Sequence, residues 1–197
     1  METLLFVLLL FPPSWQTVES GTLTTETAQL LVGAYGIHFG TAQEDVIQSL
    51  SDEHDVQSVQ KISREVYTVL EFPDFPLSGI SKLRVFVHPE EGVFWIEEEI
   101  GLRWDLQRRD QDNLEYHQRR LEEILGRLSR EYGNEVVHED TNLGGRFEKN
   151  DFVRATWTFP ENRWIHVIYE PQDWELFPER NKILVIYRDS SRDPRRN

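Results

Sequence analysis

Residues 112–133 read DNLEYHQRRLEEILGRLSREYG, and their apolar side chains recur with the period of an α-helix. The stripe consists of Leu114, Leu121, Ile124, Leu125, Leu128 and Tyr132. Asp112 and Glu115 have the spacing of a capping box, which predicts that the helix starts at Asp112. Gly133 stands where a left-handed residue commonly ends a helix. A helix with this stripe needs an apolar surface to pack on.

Stretches that alternate apolar and polar side chains lie on both sides of this helix and predict a sheet. The strand candidates are residues 65–71, 83–88, 94–106, 135–138, 152–159, 163–170 and 182–187. Residues 89–92 predict a hairpin turn, and a shorter helix is predicted to start near Thr41. We expect an α+β fold of two helix-plus-antiparallel-strands units, residues 35–106 and 107–187, with the helices packed on one face of antiparallel sheet. One continuous sheet and two side-by-side units both fit this pattern.

Composition divides the chain into four regions. Residues 1–20 have the pattern of a signal peptide, and residues 21–34 are a linker or a short N-terminal element. Residues 35–187 are predicted to form the α+β domain. Residues 188–197 are rich in arginine and are predicted to be a disordered tail.

The start of the chain indicates export. Residues 4–11 are apolar, and Val18 and Ser20 occupy the −3 and −1 positions of a cleavage site before Gly21. The apolar run is too short to cross a membrane as a helix. The segment before it contains Glu2 and neither lysine nor arginine, so an uncleaved anchor, a buried N-terminal segment and a misassigned start are alternatives. We expect a periplasmic or secreted protein without an integral membrane span.

The composition excludes several classes of function. The formal net charge is −14, which disfavours nucleic acid and acidic membrane surfaces as partners. The chain contains no cysteine, so disulfides, thiolate metal sites, a cysteine nucleophile and lipid attachment through cysteine are excluded. The sequence has neither a glycine-rich phosphate loop nor a nucleophile elbow, and we expect no cofactor.

Residues 39–47 read Phe-Gly-Thr-Ala-Gln-Glu-Asp-Val-Ile. This entry motif resembles the start of the outer-membrane assembly lipoproteins of the BamE type, and it is similar to other small periplasmic domains. The resemblance implies a helix that packs on antiparallel sheet, in an interaction module of the bacterial cell envelope with a protein partner. Those lipoproteins carry an acylated cysteine, which this chain lacks, so direct lipid anchoring is excluded.

Glu98 is the one candidate for catalysis, because it shares a strand face with the apolar residues Ile96 and Ile100. A carboxylate in such surroundings can have a raised pKa and act as a general acid or base. Two structural alternatives are a β-bulge that turns Glu98 outward and an arginine partner.

The six histidines are scattered, and no pair has the i, i+4 spacing of a zinc site on a helix. The only arrangement that could be considered joins His88 and His166 across strands with Glu97 or Glu99. We therefore expect no metal.

Aromatic residues near carboxylates are the candidates for ligand binding. Trp174 and Phe177 lie in a predicted loop, and Trp95 lies on the polar face of a strand; such rings can stack on sugars. The alternative is that these rings fill the core or cover the sheet. The sequence thus favours a non-catalytic exported interaction module, with a periplasmic glycan- or small-ligand-binding protein as the alternative and a carboxylate-dependent hydrolase as the least supported.

Overall fold

The structure is a computed structural model of the 197-residue chain. It describes residues 30–54, 56, 58–73, 75–77, 79–133, 137–138, 152–170 and 180–196. The predicted signal peptide and most of the predicted linker lie outside the described residues.

The described chain folds into ten strands, two α-helices and a short 3-10 helix. The first half contains β1 (Gly33–Ala34), β2 (Ile37–His38), α1 (Gln43–His54), β3 (Gln60–Ser63), β4 (Thr68–Pro73), β5 (Lys82–His88) and β6 (Gly92–Leu102). The second half contains α2 (Asp110–Tyr132), β7 (Val137–His138), β8 (Phe152–Phe159), β9 (Arg163–Glu170), β10 (Asn181–Asp189) and the 3-10 helix (Pro194–Arg196). The mixed α and β composition is confirmed, and strands dominate it.

The strands form two sheets. β1 and β2 form a small hairpin, and the other eight strands form one antiparallel sheet in the order β3-β4-β5-β6-β10-β9-β8-β7. Two four-strand meanders meet at its centre, where β6 pairs with β10 from Leu102–Asn181 to Trp95–Arg188. The two halves that the sequence suggested therefore share one continuous sheet, and the predicted hairpin turn between β5 and β6 is confirmed by the pair His88–Gly92.

The hydrophobic core joins both helices to alternate residues of the sheet. Leu121, Ile124 and Leu128 of α2 belong to the same cluster as Val46 and Leu50 of α1. The central strands contribute Val85, Ile96, Ile100, Val167, Ile183, Val185 and Tyr187 to that cluster. Each fully buried apolar side chain stabilises the fold by roughly 1.5–3 kcal/mol.

The start of α2 corrects the predicted helix cap. The helix begins at Asp110 and its N-cap is Arg109, which makes no side-chain capping bond. Asp112 instead forms an ion pair with Arg109, with Nη2 and Oδ1 2.8 Å apart. At the other end, Gly133 has φ of 82° and donates its backbone N–H to Ser129, as the sequence predicts. The predicted capping box does not form because the helix starts two residues earlier, which puts Asp112 inside the first turn and not at the N-cap.

Three other features differ from the sequence predictions. Leu106 was assigned to the apolar strand face, but β6 ends at Leu102 and Leu106 is 63% exposed. Edge strand β3 was not predicted at all. The tail predicted to be disordered begins inside β10 and continues, through the buried Asp193, into the 3-10 helix.

Within the part of the chain that the structure describes, neither helix is both long and apolar enough to cross a membrane.

Candidate functional site

Glu98 lies in the middle of β6 and is fully buried. It pairs in register with Leu83 on one side and Val185 on the other, so no bulge turns it outward. Its carboxylate accepts a hydrogen bond from Arg127 Nη2 on α2, with a distance of 2.8 Å to Oε2. Of the two structural alternatives for Glu98, the geometry matches an arginine partner. We call Glu98 and Arg127 the buried ion pair after its carboxylate, because the Glu98 side chain is fully buried whereas that of Arg127 is 38% exposed.

Two tyrosines surround the buried ion pair. The Tyr187 hydroxyl donates to Glu98 Oε1 at 2.6 Å, and burial together with this carboxylate raises the pKa of Tyr187 well above its usual range. The Tyr35 hydroxyl is also buried and makes no hydrogen bond of normal geometry among the described residues. Burial and the nearby Glu98 carboxylate likewise raise the pKa of Tyr35. Both hydroxyls therefore remain protonated at neutral pH and can act only as donors to a carboxylate.

A cleft of about 150 Å³ opens beside the buried ion pair. It lies between α2 and the turn at Gly79 and Ile80, which precedes β5. Its polar lining consists of Glu98, Arg120, Glu123 and Arg127. Arg120 pairs with Glu123, just as Arg127 pairs with Glu98, so each cation already has a carboxylate partner. Ligand pockets usually measure roughly 300–1,000 Å³, so this cleft is small for an organic substrate.

Two polar residues on α2 are buried where the sequence predicted an apolar stripe. His117 is fully buried, its Nδ1 lies 3.1 Å from the Tyr169 hydroxyl, and its ring meets Trp104 edge to face. Burial lowers the pKa of His117 to about 4. Asn113 Oδ1 accepts from the Asp105 backbone N–H, and its Nδ2 donates to the Asp105 carbonyl, both at 2.9 Å. Asn113 thereby fixes the connection between β6 and α2.

A network of ion pairs crosses the face of the sheet that is opposite to the face of Glu98. It consists of Glu71, Lys82, Arg84, Glu97, Glu99, Glu170 and Lys182, which we call the charged face. Arg84 on β5 donates to Glu71 at 2.8 Å and to Glu99 at 2.9 Å, and it also pairs with Glu97. These acids lie on β4, β6 and β9, and the cations that pair with them lie on the intervening strands β5 and β10.

Trp95 lies on β6 at one end of the charged face and takes part in an aromatic cluster. Its ring centroid is 5.4 Å from that of Phe86 and 6.2 Å from that of Trp164. The Arg188 guanidinium lies 5.1 Å from the centroids of both Trp95 and Trp164. The Trp95 indole Nε1 is buried and has no hydrogen-bond partner among the described residues.

The aromatic cage consists of Tyr67, Phe94 and Trp95, and Arg195 of the 3-10 helix occupies it. The Arg195 guanidinium carbon lies 5.7, 5.5 and 4.5 Å from the three ring centroids. Asp193 holds the same guanidinium through two hydrogen bonds of 2.9 Å. Sequence reasoning missed this arrangement, because nothing local connects Arg195 to a ring that lies about one hundred residues earlier in the chain.

The remaining predicted site residues are Trp174, Phe177, His88 and His166. Trp174 and Phe177 lie outside the described residues. His88 Nδ1 accepts backbone N–H groups from Glu90 and Glu91, and His166 stacks on Trp164 at 3.9 Å. Among the residues that the structure describes, no group of three or more metal-binding side chains is close enough to hold an ion.

The chain matches no protein-family model, no curated protein and no solved structure.

Proposed function

We propose that this protein is a non-catalytic interaction module, exported to the bacterial cell envelope, that binds another protein by accepting an extended segment at the edge of its sheet. The observation that carries the proposal is the open side of β3, which pairs only with β4 among the described strands. Export is proposed from the apolar run at residues 4–11 and the cleavage pattern before Gly21.

The backbone of β3 has unpaired groups that a partner strand can use. Arg64 donates its N–H to the Tyr67 carbonyl at 2.8 Å and closes the hairpin between β3 and β4. Because hydrogen-bonded pairs alternate along antiparallel strands, Ile62 faces β4 with its backbone groups, whereas those of Lys61 and Ser63 point away from the sheet. Strand addition uses donors and acceptors of this kind.

We also propose that both helices lie on the same face of the sheet, which leaves the charged face and β3 to a partner. His117 and Arg127 of α2 contact Tyr169 and Glu98, respectively. The register relates Tyr169 through Ile183 to β6 and places it on the same face as Glu98. Two buried residues of α1 belong to the hydrophobic cluster of that face.

The geometry around the carboxylates supports binding better than catalysis. Glu98 is fully buried and lines only the small cleft, and its carboxylate is already engaged by Arg127 and Tyr187. Hydrolysis by paired carboxylates needs two acidic groups that flank the scissile bond. The acids of the charged face are each engaged by lysine or arginine.

Binding of a glycan or other small ligand at Trp95 is the alternative function. The ring belongs to a cluster that includes Phe86 and Trp164, as a stacking platform would. However, the guanidinium groups of Arg188 and Arg195 lie 5.1 and 4.5 Å from the Trp95 centroid. A sugar would have to displace at least one of them, so this alternative is second.

Crosslinking from β3 tests the proposed function. A photoreactive residue at the exposed Gln60 should give a discrete adduct in the envelope fraction of cells that produce the protein. Ser63→Pro removes an outward N–H and should abolish that adduct, because proline cannot donate to an added strand.

Ser63→Ala is the matched control and should retain the adduct, since its backbone N–H is unchanged. Both variants should have the same urea midpoint as the parent protein. Adducts that survive Ser63→Pro, or that form only with cytoplasmic proteins, would contradict the proposal.

A further inference from the structure

The aromatic cage is built independently of the arginine that occupies it. Tyr67 contacts Phe94 at a centroid distance of 5.8 Å and Phe86 at 5.9 Å, and Phe86 contacts Trp95 at 5.4 Å. Phe94 is fully buried. Phe86 and the rings of Phe94 and Trp95 belong to the paired strands β5 and β6, and Tyr67 directly precedes β4, where its carbonyl accepts the Arg64 N–H, so the backbone holds the rings in place. Removal of Arg195 therefore leaves a preformed cage.

The cage has the chemistry of a cation-binding site. Three ring faces within about 6 Å attract a cation through their quadrupoles. Asp193 adds a carboxylate that binds a guanidinium with two parallel hydrogen bonds, a geometry that arginine matches and lysine does not. The ligand class that fits is therefore a guanidinium group.

Arg195 can leave the cage without leaving the buried Asp193 carboxylate unpaired. Asp193 is buried and also pairs with Arg188, which belongs to β10 and remains in place. The contacts that hold the Arg195 side chain come from the cage and from Asp193, two residues away in the same turn. The Arg195 side chain is 36% exposed, so it can move into solvent without passing through the core.

We infer that the aromatic cage is a recognition site for an arginine side chain of a partner polypeptide, and that Arg195 is an internal ligand that competes for it. The formal net charge of −14 attracts such a cationic segment. A tethered side chain acts at an effective concentration in the millimolar range, so it suppresses weak ligands and yields to a partner that makes further contacts. This inference does not depend on strand addition at β3.

The test compares the whole protein with Arg195→Ala and Arg195→Gln variants, using acetyl-Gly-Arg-Gly-amide as the probe. Tryptophan fluorescence and the indole N–H signals in NMR report on binding near Trp95. Both variants should bind the peptide roughly tenfold or more tightly than the parent protein, because the internal competitor is gone. Addition of Trp95→Leu to either variant should remove that gain.

Two controls separate cage binding from attraction by the net charge. The citrulline peptide has the same shape without the charge and should not bind. Arg192→Ala removes a nearby cation that contacts Glu91 and Asp189 but not the cage, and should leave affinity at the parent level. The inference is overturned if Arg195→Ala and Arg195→Gln bind no better than Arg192→Ala, or if citrulline binds as well as arginine.

Discussion

The Tyr187 hydroxyl on β10 donates a 2.6 Å hydrogen bond to Glu98 on β6, and Arg127 on α2 bonds the same carboxylate. One buried carboxylate thus ties both halves of the sheet to the longer helix. Removal of one member of a buried ion pair lowers the free energy of unfolding more than removal of one member of an exposed pair. The reason is that the remaining charge stays buried without its partner.

The buried ion pair should be structural. Arg127→Met should lower the free energy of unfolding by about 3–5 kcal/mol, since Glu98 then keeps only the Tyr187 donor. Glu98→Gln should cost less, about 2 kcal/mol, because the amide still accepts one hydrogen bond and Arg127 can reach solvent. Urea denaturation measures both values, and Arg120→Met, which breaks the exposed pair with Glu123, should cost under about 1 kcal/mol. Equal costs for Arg127→Met and Arg120→Met would refute this role.

Acid should destabilise the fold before the carboxyl groups titrate. Burial lowers the pKa of His117 to about 4, and burial together with Arg188 lowers the pKa of His166 to about 4, both from 6.5. The unfolded chain therefore binds protons below pH 6.5 that the folded chain does not, so stability falls as the pH falls from 6.5 towards 4. Between pH 6.5 and 5 the two histidines should remove roughly 2–3 kcal/mol, somewhat less if solvent screens His166.

Replacement of His117 isolates its share of this pH dependence. In His117→Phe, the decline in unfolding free energy between pH 6.5 and 5 should fall by about half. An unaltered slope in His117→Phe would mean that the buried imidazole does not cause the effect.

Replacement by alanine should reduce the stability of the fold by different amounts at two glycines that have similar φ angles. Gly92 has φ of +73°, and a Cβ there would lie 2.2 Å from the Gly40 carbonyl oxygen, so Gly92→Ala should cost about 3–5 kcal/mol. Gly133 has φ of +82° and ψ of −166°, and a Cβ there would meet no described atom within 4 Å, so Gly133→Ala should cost only the backbone strain of about 1–3 kcal/mol. Thermal unfolding of the two variants measures the difference. Similar costs would show that the close approach of Gly40 relaxes freely.

Sequence periodicity located elements that have one buried face. The predicted strands at residues 152–159 and 163–170 coincide with β8 and β9, where buried residues alternate from Ala155 to Phe159 and from Ile165 to Tyr169. β3 was missed because it is exposed along most of its length at the sheet edge, where neither face imposes a pattern.

The buried stripe of α2 shows why polarity misleads at single positions. Asn113 and His117 precede Leu121 at intervals of four, so they belong to the same helical stripe. The sequence favoured Leu114 because it is apolar, yet Leu114 is only half-buried, and Asn113 and His117 are buried with specific polar partners. Strand periodicity also put Glu98 on the apolar face of β6. The sequence could not identify its partner Arg127, which lies 29 residues away and is brought to Glu98 only by tertiary packing.

The position of β10 determines when the molecule can complete its core. β6 is central in the finished sheet, but it is an edge strand of the first half until its partner has been synthesised. Its eleven residues therefore stay open along one side while the intervening residues 103–180 are added. A nascent chain in this state exposes apolar surface of the kind that chaperones bind. Synthesis order thus delays completion of the core until β10 has been made, and this delay is compatible with the export that we propose.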